Sequence, residues 1–354
     1  MNRTNKKFFT CKEMPIDKFI SNLMYDKKFG YYSKNVTFGQ KGDFITSPSI
    51  SFLFSEMIAL WIISFWQHIA KPKKINIIEL GPGEGQLCKI LIETFKNFPD
   101  FYKSCNIYLY EKSQKLIKLQ KKNIGFDNVK WIKSIGEIKS GPIIFFGNEF
   151  FDAIPIKQYK KINNVLYEKY IKLDKNHKLK FFYKKITKKN IDELKKLNLL
   201  TNRHFIEYPK QGLKELSLII KLIKKFNGAL LLVDYGFLEQ KNVDTLQSVK
   251  NHKKNELFQN LGMADISSLV DFNLLKNYFI KNKLLVNNIV SQSTFLNNMG
   301  ITQRANILSD QMSFKDKSDI YYRLKRLLDA KYMGKLFKVI CAYKCKKKFS
   351  LGFN

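Results

Sequence analysis

Short apolar runs alternate along this chain with stretches of helical period, and the runs end on glycine or acidic residues. That rhythm predicts βαβ units and a doubly wound α/β fold around a mainly parallel sheet. Seven strands are expected, at Ile75–Leu80, Ile107–Tyr110, Val129–Ile132, Ile143–Phe146, Leu230–Asp234, Leu284–Val290 and Leu336–Tyr343. Near-continuous apolar runs such as INIIEL, PIIFF and ALLLVDY suit central strands that helices cover on both faces.

The stretch Ile50–Ala70 is apolar for about the length of a membrane span. Glu56 in its middle would cost roughly 2.5 to 3.5 kcal/mol inside a bilayer, and no second segment has this character. A buried core helix is expected instead, with Ser47 as its N-cap and Pro48 at its first position. Between the fourth and fifth strands the chain is too long for one crossover. Its portion Gln158–Lys185 alternates apolar and Lys residues about an Asp-Lys-Asn-His turn, which predicts an inserted β-hairpin. A helix over Lys210–Phe226 follows, then a polar, helix-poor stretch at Phe237–Ala264 of a length that is usually functional or disordered. The expected parts are a helical extension at 1–70, the first half of the sheet at 71–158, the hairpin region at 159–209, and the remainder at 210–354 with a second insertion at about 237–265.

A formal charge of +33 raises nucleic-acid binding as a possibility. Five of the 63 basic residues are Arg (Arg3, Arg203, Arg304, Arg323, Arg326) and the rest are Lys, whereas recognition of phosphates and bases draws heavily on the planar Arg fork. Lys travels here with abundant Asn, Ile and Phe, as an AT-rich genome would produce, so nucleic acid is not the expected partner. Five cysteines (Cys11, Cys88, Cys105, Cys341, Cys345) without a CxxC pair and four scattered histidines predict free thiols, a reducing compartment and no metal. The first residues lack the pattern of a secretory signal or of an Arg- and Ser-rich transit peptide, so a bacterial cytoplasm is the expected location and a mitochondrial matrix the alternative.

The candidate chemistry starts after the first strand, at Glu79-Leu80-Gly81-Pro82-Gly83-Glu84-Gly85, which opens into a helix at about Gln86. Ligands of doubly wound sheets bind at the carboxyl ends of the strands, so this loop is the expected floor of a cofactor site. A dinucleotide fingerprint would place its third glycine where Gln86 stands. Pro82 lacks a backbone donor, and Glu84 puts a carboxylate at the helix start, where it would repel a pyrophosphate. A cofactor without phosphates suits the loop better, and S-adenosylmethionine, with its cationic sulfonium, is one. Glu111, at the tip of the second strand, can accept hydrogen bonds from both ribose hydroxyls. The fourth strand ends in Gly147-Asn148-Glu149-Phe150-Phe151-Asp152-Ala153, and the carboxylates Glu149 and Asp152 are placed to meet a cationic acceptor such as a guanidinium. An ordinary alternative is that Asn148 and Glu149 cap a following helix.

In these residues the chain resembles the MidA-like family of class I S-adenosylmethionine-dependent methyltransferases. The resemblance begins with Tyr31-Tyr32, Phe38-Gly39 and Gly42-Asp43-Phe44-Ile45-Thr46-Ser47-Pro48 and runs through Glu79-Leu80-Gly81-Pro82-Gly83 and Asn148-Glu149-Phe150-Phe151-Asp152-Ala153. It continues through Asp234-Tyr235-Gly236, Asp244-Thr245-Leu246-Gln247 with His252, and Gly262-Met263-Ala264-Asp265-Ile266 to Met333-Gly334-Lys335-Leu336-Phe337. It implies a seven-stranded Rossmann-like sheet, S-adenosyl-L-methionine as cofactor, and a protein arginine as acceptor, in the mitochondrial members on a path to complex I assembly. By the same resemblance, residues 1–70 form a lid in which Gly42, Asp43 and Phe44 close over the cofactor. Asn148 joins the cofactor site, and His252 and Asp265 approach the acceptor. Otherwise Asp265 would cap a helix starting at Ile266. Two rival functions are methylation of nucleic acid, with Phe150 and Phe151 stacking on a base, and a non-catalytic assembly chaperone that keeps the fold.

Overall fold

The computed structural model describes residues 8–9, 12–34, 46–126, 128–239 and 241–354. They form two compact units, each assembled from separate stretches of chain: one from 45–150, 217–236 and 278–354, the other from 1–44, 151–216 and 237–277.

The first unit holds the doubly wound sheet. Its strands are β1 (Ile75–Leu80), β2 (Cys105–Tyr110), β3 (Val129–Ile132), β4 (Ile143–Asn148), β5 (Gly228–Phe237), β6 (Leu285–Val286) and β7 (Phe337–Lys344), in the order β6-β7-β5-β4-β1-β2-β3. Strands β3 to β5 pair in parallel through β2, β1 and β4, and β7 runs antiparallel to both its neighbours. From β1 the chain steps outward to β2 and β3, then returns to β4 on the other side of β1. That reversal is the switch point at which a crevice opens beyond the carboxyl ends of the strands. Every residue of β1 and β5 is buried, as their unbroken apolar runs require. The sixth strand is shorter than expected: Asn287 and Asn288 divide Leu284–Val290 into β6 and a second piece, Val290–Ser291, both paired with β7.

The apolar stretch near the N-terminus is a buried helix, α1 (Phe52–His68), with Leu53, Phe54, Trp61, Ile62 and Phe65 at zero exposure. Trp61 stacks on Phe65, and Phe65 meets Phe349 edge-on at 5.1 Å. Its cap is Ser51, whose Oγ accepts from the Leu53 N–H, and not Ser47. Ser47 begins a separate helical turn, Ser47–Ile50, and donates its hydroxyl to Gln292 Oε1 at 3.1 Å. Glu56 is balanced by a two-pronged ion pair with Arg304, at 2.9 and 3.1 Å. No helix among the described residues is long and apolar enough to cross a membrane. Two further helices frame the site: α2 (Gln86–Lys96) after β1 and α3 (Gln114–Ile124) after β2.

The second unit is built on a five-stranded antiparallel sheet. Where one inserted hairpin was expected, three strands, Lys157–Ile162, Val165–Leu173 and Leu179–Lys185, form two successive hairpins, joined on the sheet by Glu13–Pro15 and Phe205–Tyr208. The first turn is Asn163-Asn164, both at positive φ, the conformation that a two-residue hairpin needs. The second is closed by Asp174, whose Oδ1 accepts from the Asn176 and Lys178 N–H groups. Helix Ile16–Tyr25 lays Ile16, Phe19, Ile20 and Met24 onto Ile171 and Leu179 of this sheet. The polar stretch after Phe237 contains three short strands, Gln247–Lys250, Lys253–Asn255 and Asp265–Ser267. Asp265 therefore caps no helix; the next one, Phe272–Lys281, has the Asp271 carboxylate accepting from its Leu274 N–H.

Candidate functional site

In the sheet unit the predicted residues gather at the tips of β1, β2 and β4. The loop after β1 is drawn in by Gly81 N–H donating to Tyr110 O at 3.1 Å and Gly85 N–H donating to Pro82 O at 2.8 Å. Gly81, Gly83 and Gly85 all have positive φ, which a side chain would strain. Their surroundings differ. A Cβ on Gly81 would lie 3.0 Å from the Phe150 ring and one on Gly85 2.9 Å from Ile124, whereas a Cβ on Gly83 would meet none of the described residues within 4 Å. Packing therefore explains two of the glycines, and Gly83 faces open space.

Acceptor side chains stand at the ends of the neighbouring strands: Glu79 in β1, Glu111 just beyond β2, and Asn148 and Glu149 at the end of β4. Glu79 is 3% exposed, and burial pushes its pKa up to about 8. Its Oε2 has no hydrogen-bond partner among the described residues, nor has Oδ1 of Asn148. Asn148 instead donates through Nδ2 to Glu149 Oε1 at 3.0 Å. Glu149 sits at φ 54°, outside the usual range for a side-chain-bearing residue, with its N–H donating to Val233 O at 2.9 Å. No helix follows β4, so the capping alternative for Asn148 and Glu149 does not hold. Glu111 is also buried, and burial raises its pKa while hydrogen bonds from Ser113, Gln120 and Lys112 lower it. Its Oε1 accepts from the Ser113 N–H at 2.7 Å.

One face of α3 clamps the loop, a role that sequence reasoning missed. Gln120 donates to Gly83 O at 2.8 Å, Asn123 donates to Glu84 O at 3.0 Å, and Ile124 lies against Gly85. Residues three and four apart share a helix face, and the amides at 120 and 123 were the only local signal. An open glycine position on the loop between these strand ends, with buried carboxyl groups and an amide oxygen at their tips, offers hydrogen-bonding side chains. It suits a ligand bearing hydroxyls, an ammonium and a sulfonium, and repels one carrying phosphates.

In the other unit, Asp152 and Asp265 are both largely buried. The Ser268 N–H donates to Asp152 O at 3.1 Å, and Asp265 lies opposite Val249 in the small sheet. Both carboxylates lie close enough to the buried Tyr32 phenol to raise its pKa, behind burial itself as the leading cause. Tyr25, 5.3 Å from Tyr32 by ring centroids, donates its hydroxyl to Ala153 O at 2.8 Å. His252 stands apart from this cluster, exposed on the turn between Gln247–Lys250 and Lys253–Asn255 at φ 59°. Gly42, Asp43 and Phe44 lie outside the described residues.

Residues 57–290 match the family described as "Putative S-adenosyl-L-methionine-dependent methyltransferase". The protein arginine methyltransferase NDUFAF7 homolog, mitochondrial, of Caenorhabditis elegans is 30% identical over 83% of this chain and 72% of its own length. The human protein arginine methyltransferase NDUFAF7, mitochondrial, is 27% identical over 91% of this chain and 78% of its own. Among solved structures, a COG1565 superfamily member from Burkholderia thailandensis, bound to S-adenosyl-homocysteine, superposes with a TM-score of 0.81. It is 20% identical, covers 97% of this chain and 89% of its own, and shows the fold to be shared. With two thirds of its length matched by the family model, the chain belongs to the S-adenosyl-L-methionine-dependent methyltransferases.

Proposed function

We propose that the chain methylates the guanidinium of a protein arginine, with an acceptor in a respiratory complex subunit. The observation that carries this reading is the set of buried acceptors at the tips of β1, β2 and β4, together with Glu149 held at positive φ next to Asn148. The names of the relatives support the acceptor class and favour the mitochondrial location over the bacterial cytoplasm.

In this reading Glu111 takes the ribose hydroxyls, while Glu79, Gly81, Pro82, Gly83, Gly85 and Asn148 hold the amino-acid and sulfonium portion. Bound there, S-adenosyl-L-methionine supplies a methyl group already activated by its positive sulfur. The protein's task is then alignment and exclusion of water. A guanidinium keeps its charge to above about pH 12, so a carboxylate orients it through short, charge-assisted hydrogen bonds. Glu149 and Asp152, three residues apart in one stretch of chain, are assigned that role. Asp265 and Tyr32 add negative charge and an aromatic wall around Asp152. The exposed turn fits His252 for contact with a protein acceptor better than for proton transfer.

Incubation with methyl-labelled cofactor and, separately, cell protein or cell RNA tests the proposal. Label is expected in protein, recovered as methylarginine after hydrolysis to amino acids. Label confined to RNA would overturn it in favour of a nucleic-acid acceptor.

A further inference from the structure

Gln120 is fully buried in the middle of α3, and its amide joins three elements of the sheet unit. Nε2 donates to Gly83 O at 2.8 Å and to Glu111 Oε2 at 3.3 Å, and Oε1 accepts from the Trp131 indole N–H at 2.8 Å. Trp131 lies on β3, Glu111 just beyond β2, and Gly83 between β1 and α2. An indole nitrogen can only donate. Its bond to Oε1 therefore fixes which end of the Gln120 amide faces which way, and obliges Nε2 to point at the two acceptors. With its own two N–H groups spent on Gly83 and Glu111, the amide leaves no buried group unsatisfied.

The arrangement does more than fill space. A carboxylate has about four acceptor sites. Glu111 accepts from the Ser113 N–H on Oε1, from Gln120 on Oε2 and from the Lys112 backbone, which sets the plane of the carboxylate and leaves about one of its sites for a ligand. The same amide holds the carbonyl of Gly83, the glycine that faces open space. The loop and the acid thus take their positions from one side chain, and that side chain takes its orientation from Trp131.

We propose that Gln120, oriented by Trp131, is a positioning residue that presets Glu111 for the hydroxylated sugar of the cofactor and holds the Gly83 loop in place beside it. It acts through Glu111 and the loop, and touches no reacting atom. The proposal rests on the assignment of Glu111 to the ribose.

Calorimetric titration of the purified chain with S-adenosyl-homocysteine and with its 2′-deoxy analogue separates the two. If Glu111 binds the ribose, the wild-type chain prefers the hydroxylated ligand by about 10- to 100-fold, the range for a hydrogen bond to a charged group. Gln120→Met keeps the length of the side chain but removes both N–H donors, and the preference is expected to shrink to about 3-fold or less. Trp131→Phe removes only the indole donor and keeps an aromatic on β3. It is expected to give an intermediate preference and, being the gentler change, carries the test should Gln120→Met fail to fold. A general loss of stability would weaken both ligands alike and leave their ratio unmoved. Full preference retained in the variants overturns the relay while leaving Glu111 in place. Absence of preference in the wild-type chain removes the ribose assignment and the proposal with it.

Discussion

Gly83→Val should abolish tight binding of S-adenosyl-homocysteine, lowering affinity by about 100-fold or more, the scale of losing the contacts of a buried ligand portion. The loop glycines have different reasons for being glycine. At Gly81 and Gly85 an added Cβ meets Phe150 or Ile124, so a substitution there disturbs the protein itself. At Gly83 the same atom meets none of the described residues, and a branched side chain would occupy the room assigned to the cofactor. The variant also carries backbone strain, since φ at Gly83 is +54°, and about 1 to 2 kcal/mol of stability should be lost on that account. Gly125 supplies the control: it too has positive φ, 66°, and open space about it, at the end of α3. Gly125→Val should melt at a temperature similar to Gly83→Val yet retain the ligand. Equal loss of binding in both variants would attribute the effect to strain and remove the argument from open space.

Glu149→Gln is expected to lower kcat for arginine methylation by about 100- to 1,000-fold while changing the affinity for S-adenosyl-homocysteine by less than about 3-fold, the range for removing one preorganised electrostatic contact at a reacting group. The amide preserves the shape of the side chain and can still accept from Asn148. What it loses is the charge that pairs with a guanidinium. Single-turnover transfer of labelled methyl to the acceptor protein measures the effect. An unchanged kcat would remove Glu149 from the acceptor's surroundings. The same variant separates methylation from assembly: if cells carrying Glu149→Gln lost methylation and kept assembly of the partner complex, the chaperone reading would gain, with assembly independent of catalysis.

The doubly wound sheet was legible because its central strands are buried on both faces. Such strands need unbroken apolar runs, and the central β1 has the expected bounds, as does the edge strand β3. The broken sixth strand was less so, although Asn287 and Asn288 interrupt its apolar run. The meander in the second unit carried a readable signal in Asn163-Asn164, a pair that tolerates the left-handed turn of a tight hairpin, but the long alternation beyond it dominated. Ser51 and Ser47 were equally good caps by type, and only the extended backbone at Ser51 decides between them. Of the candidate site, the glycine loop, Glu79, Glu111 and the end of β4 could be found because strand order brings strand tips together whatever the side chains. The clamp by Gln120, Asn123 and Trp131 could not, because it depends on side-chain geometry between elements that local patterns do not encode. For the same reason the assembly of each unit from three separated stretches, and the grouping of Tyr32 with Asp152 and Asp265, became visible only in three dimensions.

Titration of the wild-type chain with S-adenosyl-homocysteine and with NADH tests the central claim most directly, since the acceptors at the tips of β1, β2 and β4 favour a phosphate-free nucleoside. Saturable heat is expected with S-adenosyl-homocysteine and none with NADH. Heat with NADH and none with S-adenosyl-homocysteine would contradict the account.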